Sequence, residues 1–113
     1  MEQSLSWQEF EKVEMRIGTI IEVADFPEAR KPAYQLIIDF GSEIGIKKTS
    51  AQITKRYLKE DLIEKQIVAV INFPKKQIGK FMSECLVLGS VGEENDIVLL
   101  TSDVKVGNGL RIG

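Results

Sequence analysis

The chain has 113 residues, 43% hydrophobic and 28% charged, with a formal net charge of −2, as is usual for one soluble globular domain. It has no histidine and one cysteine, Cys85, so the usual parts of a catalytic triad, a metal site or an internal disulfide are missing. No apolar run approaches ~18 residues, and the N-terminal residues lack the features of a signal peptide. We therefore expect a cytoplasmic protein that is not an enzyme and has no cofactor, metal or membrane insertion.

The N-terminal segment, residues 1–7, is predicted to lead into a short helix. Ser6 is a suitable N-cap, and Glu9 stands three residues later, which is the spacing of a capping box. Trp7 and Phe10 lie three residues apart and share one face of that helix. This aromatic face either closes one end of the core or packs against a second chain, and the pattern fits both.

Alternation of apolar and polar residues predicts the first strands. The strand at 13–23 turns one face to the core, with a bend or bulge at Gly18; that face carries Val13, Met15, Ile17, Thr19, Ile21 and Val23. The strand at 34–40 alternates in the same way, and its core residues are Tyr34, Leu36, Ile38 and Phe40. A third strand at 46–51 is polar for its length, so we expect one exposed face.

A helix is predicted at 53–64, with an apolar stripe formed by Ile53, Tyr57, Leu58 and Leu62. Further strands are predicted at 67–73, 85–91 and 97–101, with a turn at 92–96. The order strand-strand-strand-helix-strand-strand is that of an OB-fold, and a different small β-barrel with an inserted helix would also fit it. The predicted fold class is therefore all-β with one short inserted helix: a five-stranded Greek-key barrel with an N-terminal helix and a C-terminal extension.

The loop between the strands at 67–73 and 85–91 is the best candidate for a binding site. Asn72 and Pro74 end the first of these strands, and two polar residues, Ser83 and Glu84, stand just before the next. Residues 47–80 carry 9 basic and 3 acidic side chains, a local balance of +6 that favours anionic partners. The loop residues expected at the site, besides these, are Phe73, Lys75, Lys76, Ile78, Lys80, Phe81 and Met82.

Two segments, EMRIG at 14–18 and NFPKKQIGKFMSE at 72–84, resemble the tRNA-binding domain appended to methionyl- and phenylalanyl-tRNA synthetases. The resemblance covers a domain at 8–113. ARKPAY at 29–34 and SAQIT at 50–54 resemble the stand-alone members, the CsaA proteins, still more closely. This resemblance implies an OB-fold homodimer that acts as an export-related chaperone for unfolded presecretory polypeptides. It also implies that Ser50, Asn72, Ser83 and Glu84 line the site, with Lys75 and Lys76 at its rim.

The chain departs from the synthetase-linked domains at two places near the expected site. Phe26-Pro27 stands where they have His-Pro, and Cys85-Leu86 stands where they have Gly-Met. Both changes introduce apolar side chains, which suits an apolar ligand. The leading interpretation is a chaperone that binds polypeptide in an apolar pocket with a polar rim. The alternatives are a structure-specific tRNA-binding module that acts through the basic loop and a subunit-docking protein without a ligand of its own.

Apolar residues at both ends of the chain predict a homodimer. If residues 13–101 close the barrel, the side chains left over are Trp7, Phe10, Val104, Val106, Leu110 and Ile112. Burial of one such side chain is worth ~1.5–3 kcal/mol, so several exposed ones favour a second surface. A two-fold dimer provides that surface from the same patch on each subunit. The competing interpretation is a monomer in which the helix and the tail close the ends of the barrel.

Overall fold

The structure, a computed structural model, describes residues 3–113, so the first two positions of the predicted N-terminal segment lie outside it. Its elements in chain order are α1 (Trp7–Glu11), β1 (Met15–Asp25), β2 (Tyr34–Asp39), β3 (Ile46–Ala51), α2 (Lys59–Leu62), β4 (Gln66–Val70), β5 (Lys76–Ile78), β6 (Phe81–Ser83), β7 (Leu86–Val87), β8 (Gly89–Val91) and β9 (Ile97–Leu99). A 3-10 helix at Glu93–Asn95 joins β8 to β9. None of the helices in this range has the length and hydrophobicity needed to cross a membrane.

Five strands form one antiparallel sheet in the order β3-β2-β1-β4-β7, and this sheet curls into a nearly closed barrel. Two hairpins, β5–β6 and β8–β9, form separate two-stranded sheets. The prediction of an all-β OB-fold with a helix between its third and fourth barrel strands is confirmed. The predicted strand at 46–51 has the bounds of β3.

The core follows the alternation of β2. Tyr34, Leu36, Ile38 and Phe40 are all buried, as predicted. β1 passes so close to these side chains that a Cβ atom on Gly18 would lie 2.6 Å from Ile38 Cγ2. Gly18 is thus required by close packing rather than by a bulge.

The predicted facing of β1 is wrong from Gly18 to Ile21. Gly18 and Ile20 face the core, whereas Ile21, which was expected there, is 37% exposed. A β-bulge between Ile20 and Glu22 then shifts the register against β2, so that Val23 packs against the core as predicted. The bulge lies where Ile20 bonds to the chain after α2: its carbonyl accepts from the N–H of Glu64 at 2.7 Å, and its N–H donates to Lys65 O at 3.0 Å.

The helix predicted at 53–64 is largely absent, and only Lys59–Leu62 is helical. Tertiary hydrogen bonds hold the preceding segment in another conformation. The hydroxyl of Tyr34 donates to Tyr57 O at 2.8 Å, and the hydroxyl of Tyr57 accepts from the N–H of Leu99 at 3.0 Å. Leu58 then takes an extended conformation and is 61% exposed, so it leaves the predicted apolar stripe.

Three later predictions of strand bounds also need correction. The strand predicted at 67–73 ends at Val70, because the N–H of Glu14 donates to the Asn72 side chain at 3.0 Å rather than to the backbone of Ile71, although the N–H of Ile71 still bonds to Glu14 O. The strand predicted at 85–91 is divided into β7 and β8, and the one predicted at 97–101 ends at Leu99. The basic loop contains a hairpin, β5–β6, that the prediction did not include.

The two ends of the chain meet beside the start of β1. The predicted capping box of α1 is present, since Ser6 and Glu9 bond each other's backbone at 2.9 and 3.1 Å. The C-terminal tail runs beside the start of β1, where the N–H of Gly109 donates to Ile17 O at 2.7 Å. The guanidinium of Arg111 donates to Glu11 O at 2.7 Å, so the tail and α1 share one side of the barrel.

Candidate ligand-binding site

The barrel is incompletely closed between β3 and the chain at 83–89, a gap that we call the seam. β3 and β7 are the two edges of the five-stranded sheet. At one end of the seam the N–H of Glu84 donates to Lys48 O at 2.8 Å, and the N–H of Lys48 donates to the Glu84 carboxylate at 3.0 Å. A side chain thus takes the place of one ladder carbonyl, and the two edges do not continue as a regular ladder.

Two buried hydroxyls bridge the seam one residue further on. Thr49 Oγ1 donates to Cys85 O at 2.7 Å, and the Ser83 hydroxyl lies 2.7 Å from Thr49 Oγ1. Since the single hydroxyl proton of Thr49 goes to Cys85, Ser83 is the donor to Thr49. Ser83 Oγ in turn accepts from the N–H of Ser50 at 3.3 Å. These bonds satisfy polar groups that would otherwise be buried without partners.

Cys85 lies at the inner end of the seam, but it is not poised as a nucleophile. Its side chain is buried, and burial raises the pKa of the thiol to about 12. The thiol is therefore protonated at neutral pH, and a protonated thiol is a poor nucleophile and a poor metal ligand. Within residues 3–113 no group of three His, Cys, Asp or Glu side chains is placed to hold a metal ion.

Beyond the hydroxyl bridge the seam widens into a cavity of about 960 Å³. Its walls come from β3 and the residues after it, from the chain at 73–78, and from the chain at 83–97. Most of the lining is apolar: Ala51, Ile53, Phe73, Pro74, Ile78, Cys85, Leu86, Val87, Leu88, Val91 and Ile97. Three of these side chains are well exposed, Phe73 at 56%, Leu86 at 47% and Val91 at 74%. An apolar cavity open to solvent is typical of a ligand-binding site.

The β5–β6 hairpin forms one wall of the cavity and carries its basic rim. The Phe81 ring packs on Phe26, with 5.2 Å between the ring centroids, and the Lys48 ammonium lies 5.3 Å from the Phe81 centroid. Lys75 Nζ is 3.7 Å from the Glu84 carboxylate, a weak ion pair at a side chain that is 65% exposed. These contacts hold the hairpin so that Lys75, Lys76 and Ile78 border the cavity.

The structure brings six of the predicted site residues together at the cavity: Ser50, Phe73, Lys75, Lys76, Ile78 and Ser83. The other five do not line it. Phe81 and Glu84 support the hairpin and the seam, as described above, and Lys80 and Met82 lie on the hairpin away from the cavity wall. Asn72 has a structural role, because it accepts from the N–H of Glu14 at 3.0 Å and donates to Lys12 O at 2.6 Å.

Sequence reasoning missed two kinds of lining residue. Thr49 is a polar residue that is 1% exposed, and the available signal was its place opposite the apolar Leu36 on β2. Val91, Asn95 and Ile97 come from the β8–β9 hairpin and the 3-10 helix that joins its strands. No local pattern in the sequence indicates that this hairpin folds toward the seam.

Comparisons with known proteins agree with this architecture. A family model described as "Putative tRNA binding domain" matches residues 15–110. The chain is 36% identical over 110 residues to a methionine–tRNA ligase of Pyrococcus furiosus, but it spans only 15% of that enzyme's length. It is 50% identical to the crystal structure of the chaperone CsaA from Bacillus anthracis, with a TM-score of 0.93, covering 98% of this chain and 100% of that one.

The CsaA chaperone protein from Picrophilus torridus is similar in the same way. It is 49% identical, with a TM-score of 0.91, covering 97% of this chain and 100% of that one. These matches extend over nearly the entire chain, including the hairpins and the tail. The chain therefore belongs to the tRNA-binding-domain family and is of the CsaA type.

Proposed function

We propose that the protein is a chaperone that binds unfolded or presecretory polypeptides in the cavity of the seam, and that it catalyses no reaction. The observation that carries the proposal is the apolar lining of a large open cavity, with Phe73 and Leu86 about half exposed. An unfolded chain presents apolar side chains together with polar backbone, and a cavity with apolar walls and polar edges complements both. Two solved relatives are themselves named as CsaA chaperones, which supports the same assignment.

The mixture of groups at the rim supports a ligand with both apolar and anionic parts. Lys75 and Lys76 stand on the hairpin side of the cavity, and Gln52 and Asn95 are among its polar lining residues. Flexible cationic side chains at a rim raise association rates with acidic segments without dictating one sequence. Broad recognition of this kind is what a chaperone requires. The buried, protonated thiol of Cys85 is compatible with a reducing compartment, and we place the protein in the cytoplasm.

A second candidate function, tRNA binding, is favoured by one specific feature of the same rim. The half-exposed ring of Phe73 lies beside Lys75 and Lys76 at the cavity. An exposed aromatic ring next to cations is the arrangement on which single-stranded bases stack while the lysines contact phosphate. The family model, which describes a tRNA-binding domain, agrees with it.

We further propose that the protein acts as a homodimer built from its two ends. Trp7 is 82% exposed, Val104 66% and Leu110 54%, while Phe10, Val106 and Ile112 are half-buried. The tail lies beside α1 and does not cover these side chains. Exposed apolar side chains at both ends of a chain fit a two-fold interface, in which each subunit covers the other.

A competition experiment separates the two candidate ligands. The protein is titrated into fluorescently labelled, unfolded presecretory polypeptide, and unlabelled tRNA is then added at low and at high salt. The chaperone proposal predicts saturable polypeptide binding that persists at high salt, since burial of apolar surface carries it. Saturable binding of tRNA alone, lost at high salt, would instead favour the second candidate.

A further inference from the structure

Beyond Lys48 and Thr49, which bond to Glu84 and Cys85, no strand among residues 3–113 is paired with the edge of β3 that faces the cavity. The other edge of β3 pairs with β2 along the whole of Ile46–Ala51. The N–H of Ser50 points away from β2 and makes only a 3.3 Å bond to the Ser83 hydroxyl. Gln52 lies two residues further along the same edge, and its N–H has no hydrogen-bond partner among residues 3–113. An unpaired strand edge is a template for another strand.

The opposite side of the cavity offers apolar surface. Leu86 and Val87 belong to β7, the other edge strand of the barrel sheet, and both line the cavity. In an added strand, successive side chains would point to opposite faces. One face would meet this apolar wall, and the other would remain in water. An extended segment with alternating apolar and polar residues therefore matches the cavity geometrically.

The positive charge at the edge of the cavity indicates which kind of peptide segment would bind there. Lys75 and Lys76 border the cavity, and the Lys75 side chain is 65% exposed. Lys75 makes only a long ion pair of 3.7 Å with Glu84, whose carboxylate also accepts from the backbone N–H of Lys48. An acidic residue in the bound segment would complement these two lysines.

We propose that the polypeptide binds as an additional β-strand on the edge of β3 at Ser50–Gln52, hydrogen-bonded through its backbone. Alternate apolar side chains enter the cavity, and an acidic side chain lies beside Lys75 and Lys76. This inference rests on the proposed polypeptide-binding function and adds the mode of recognition to it. Because backbone groups are the same in every sequence, strand addition gives affinity with little sequence selectivity.

Peptides with altered backbones test the proposal without changing the protein. The probe is a fluorescently labelled peptide of alternating valine and serine residues with one glutamate, made in three forms. One form is unmodified, and each of the others carries N-methyl groups on one of the two alternating sets of residues. Only one set of N–H groups can face β3, so one methylated form should bind at least about tenfold more weakly and the other almost normally.

The possible results distinguish binding by strand addition from polypeptide binding as such. If both methylated forms bind as well as the unmodified peptide, or if both lose affinity equally, strand addition on β3 is wrong while polypeptide binding stands. If the unmodified peptide and an unfolded polypeptide both fail to bind, the proposed function itself is wrong.

A matched pair of protein variants provides a second test of strand addition. Gln52→Pro removes the backbone N–H of residue 52, whereas Gln52→Ala removes the side chain and keeps that N–H. Strand addition predicts that Gln52→Pro weakens peptide binding about tenfold and Gln52→Ala leaves it within about twofold. Equal effects of the two variants, with circular dichroism showing both folded, would contradict a role for the backbone.

Discussion

Glu84 takes the place of a strand neighbour for Lys48. Its backbone N–H donates to Lys48 O at 2.8 Å, and its carboxylate accepts the N–H of Lys48 at 3.0 Å. A side chain thereby completes the pairing where a backbone carbonyl would stand in a regular ladder. The barrel is closed at this point, and beyond it the two edges of the sheet separate around the cavity.

The first prediction concerns the hydroxyl bridge. Thr49→Val keeps the shape of the side chain but removes the hydroxyl that donates to Cys85 O and accepts from Ser83. Buried polar atoms then lose a partner, so the free energy of unfolding should fall by about 1–3 kcal/mol, measured by chemical denaturation. Thr49→Ser is the control, because it keeps the hydroxyl and loses only a methyl group. If Thr49→Val is as stable as Thr49→Ser, the bridge does not contribute to stability.

The second prediction concerns Cys85 at alkaline pH. Burial raises the pKa of its thiol from 9.0 to about 12, so the folded protein keeps a proton that the unfolded chain releases. The stability that this provides is complete below pH 9 and is lost as the pH rises toward 12, by up to about 1.4 kcal/mol per pH unit.

The measurement is unfolding by denaturant as a function of pH, comparing the natural chain with Cys85→Ala. Tyrosines and lysines titrate in both proteins, so the difference in slope between the two curves reports the thiol. The variant should lose stability less steeply above pH 9, the ordinary pKa of the thiol. Parallel curves would show that the thiol is not held protonated in the folded state.

The third prediction concerns the basic rim and tRNA. If tRNA binds, contacts from Lys75, Lys76, Lys80 and Lys48 should give a slope of log affinity against log salt of roughly −3 to −4. Lys75→Ala combined with Lys76→Ala should flatten that slope by about 2 units, because two phosphate contacts are lost. Lys105→Ala, on the tail and outside the lining of this cavity, is the control. An unchanged slope in the double variant would place the RNA elsewhere on the protein.

The fourth prediction concerns the homodimer. Trp7→Ala combined with Leu110→Asp removes one exposed apolar side chain from α1 and places a charge on the tail, which should dissociate the dimer. Sedimentation at micromolar concentration should give twice the 12.7 kDa chain mass for the natural protein and the chain mass for the variant. Glu93→Ala with Glu94→Ala, on the far hairpin, should leave the dimer intact. A natural protein that sediments as a single chain would contradict the proposal.

The sequence predicts the barrel well where burial alone decides the structure. Alternation in β2 assigns Tyr34, Leu36 and Ile38 to the core, and the local capping box at Ser6 and Glu9 is also correct. Both signals depend on near neighbours in the chain. The helix predicted for residues 53–58 does not form, because hydrogen bonds to distant strands, such as that between Tyr57 and Leu99, outweigh the apolar periodicity of the segment.

The candidate site is predicted only in part for the same reason. Lys75 and Lys76 follow from their loop, but the cavity depends on the separation of β3 from β7, which no local pattern encodes. Asn72 shows the limit of a residue-by-residue interpretation. Its polarity at the end of a buried strand indicates a partner, and in the structure its side chain bonds to the backbone of Lys12 and Glu14.

The most direct test of polypeptide binding in the cavity compares two exposed leucines. Leu86 lines the cavity and is 47% exposed, whereas Leu58 is 61% exposed and lies outside it. The measurement is the dissociation constant for an unfolded presecretory polypeptide, by fluorescence anisotropy, for Leu86→Asp and Leu58→Asp, after thermal melts confirm that both fold. We expect Leu86→Asp to bind at least about tenfold more weakly and Leu58→Asp to match the natural protein. Equal affinity of the two folded variants would contradict binding in this cavity.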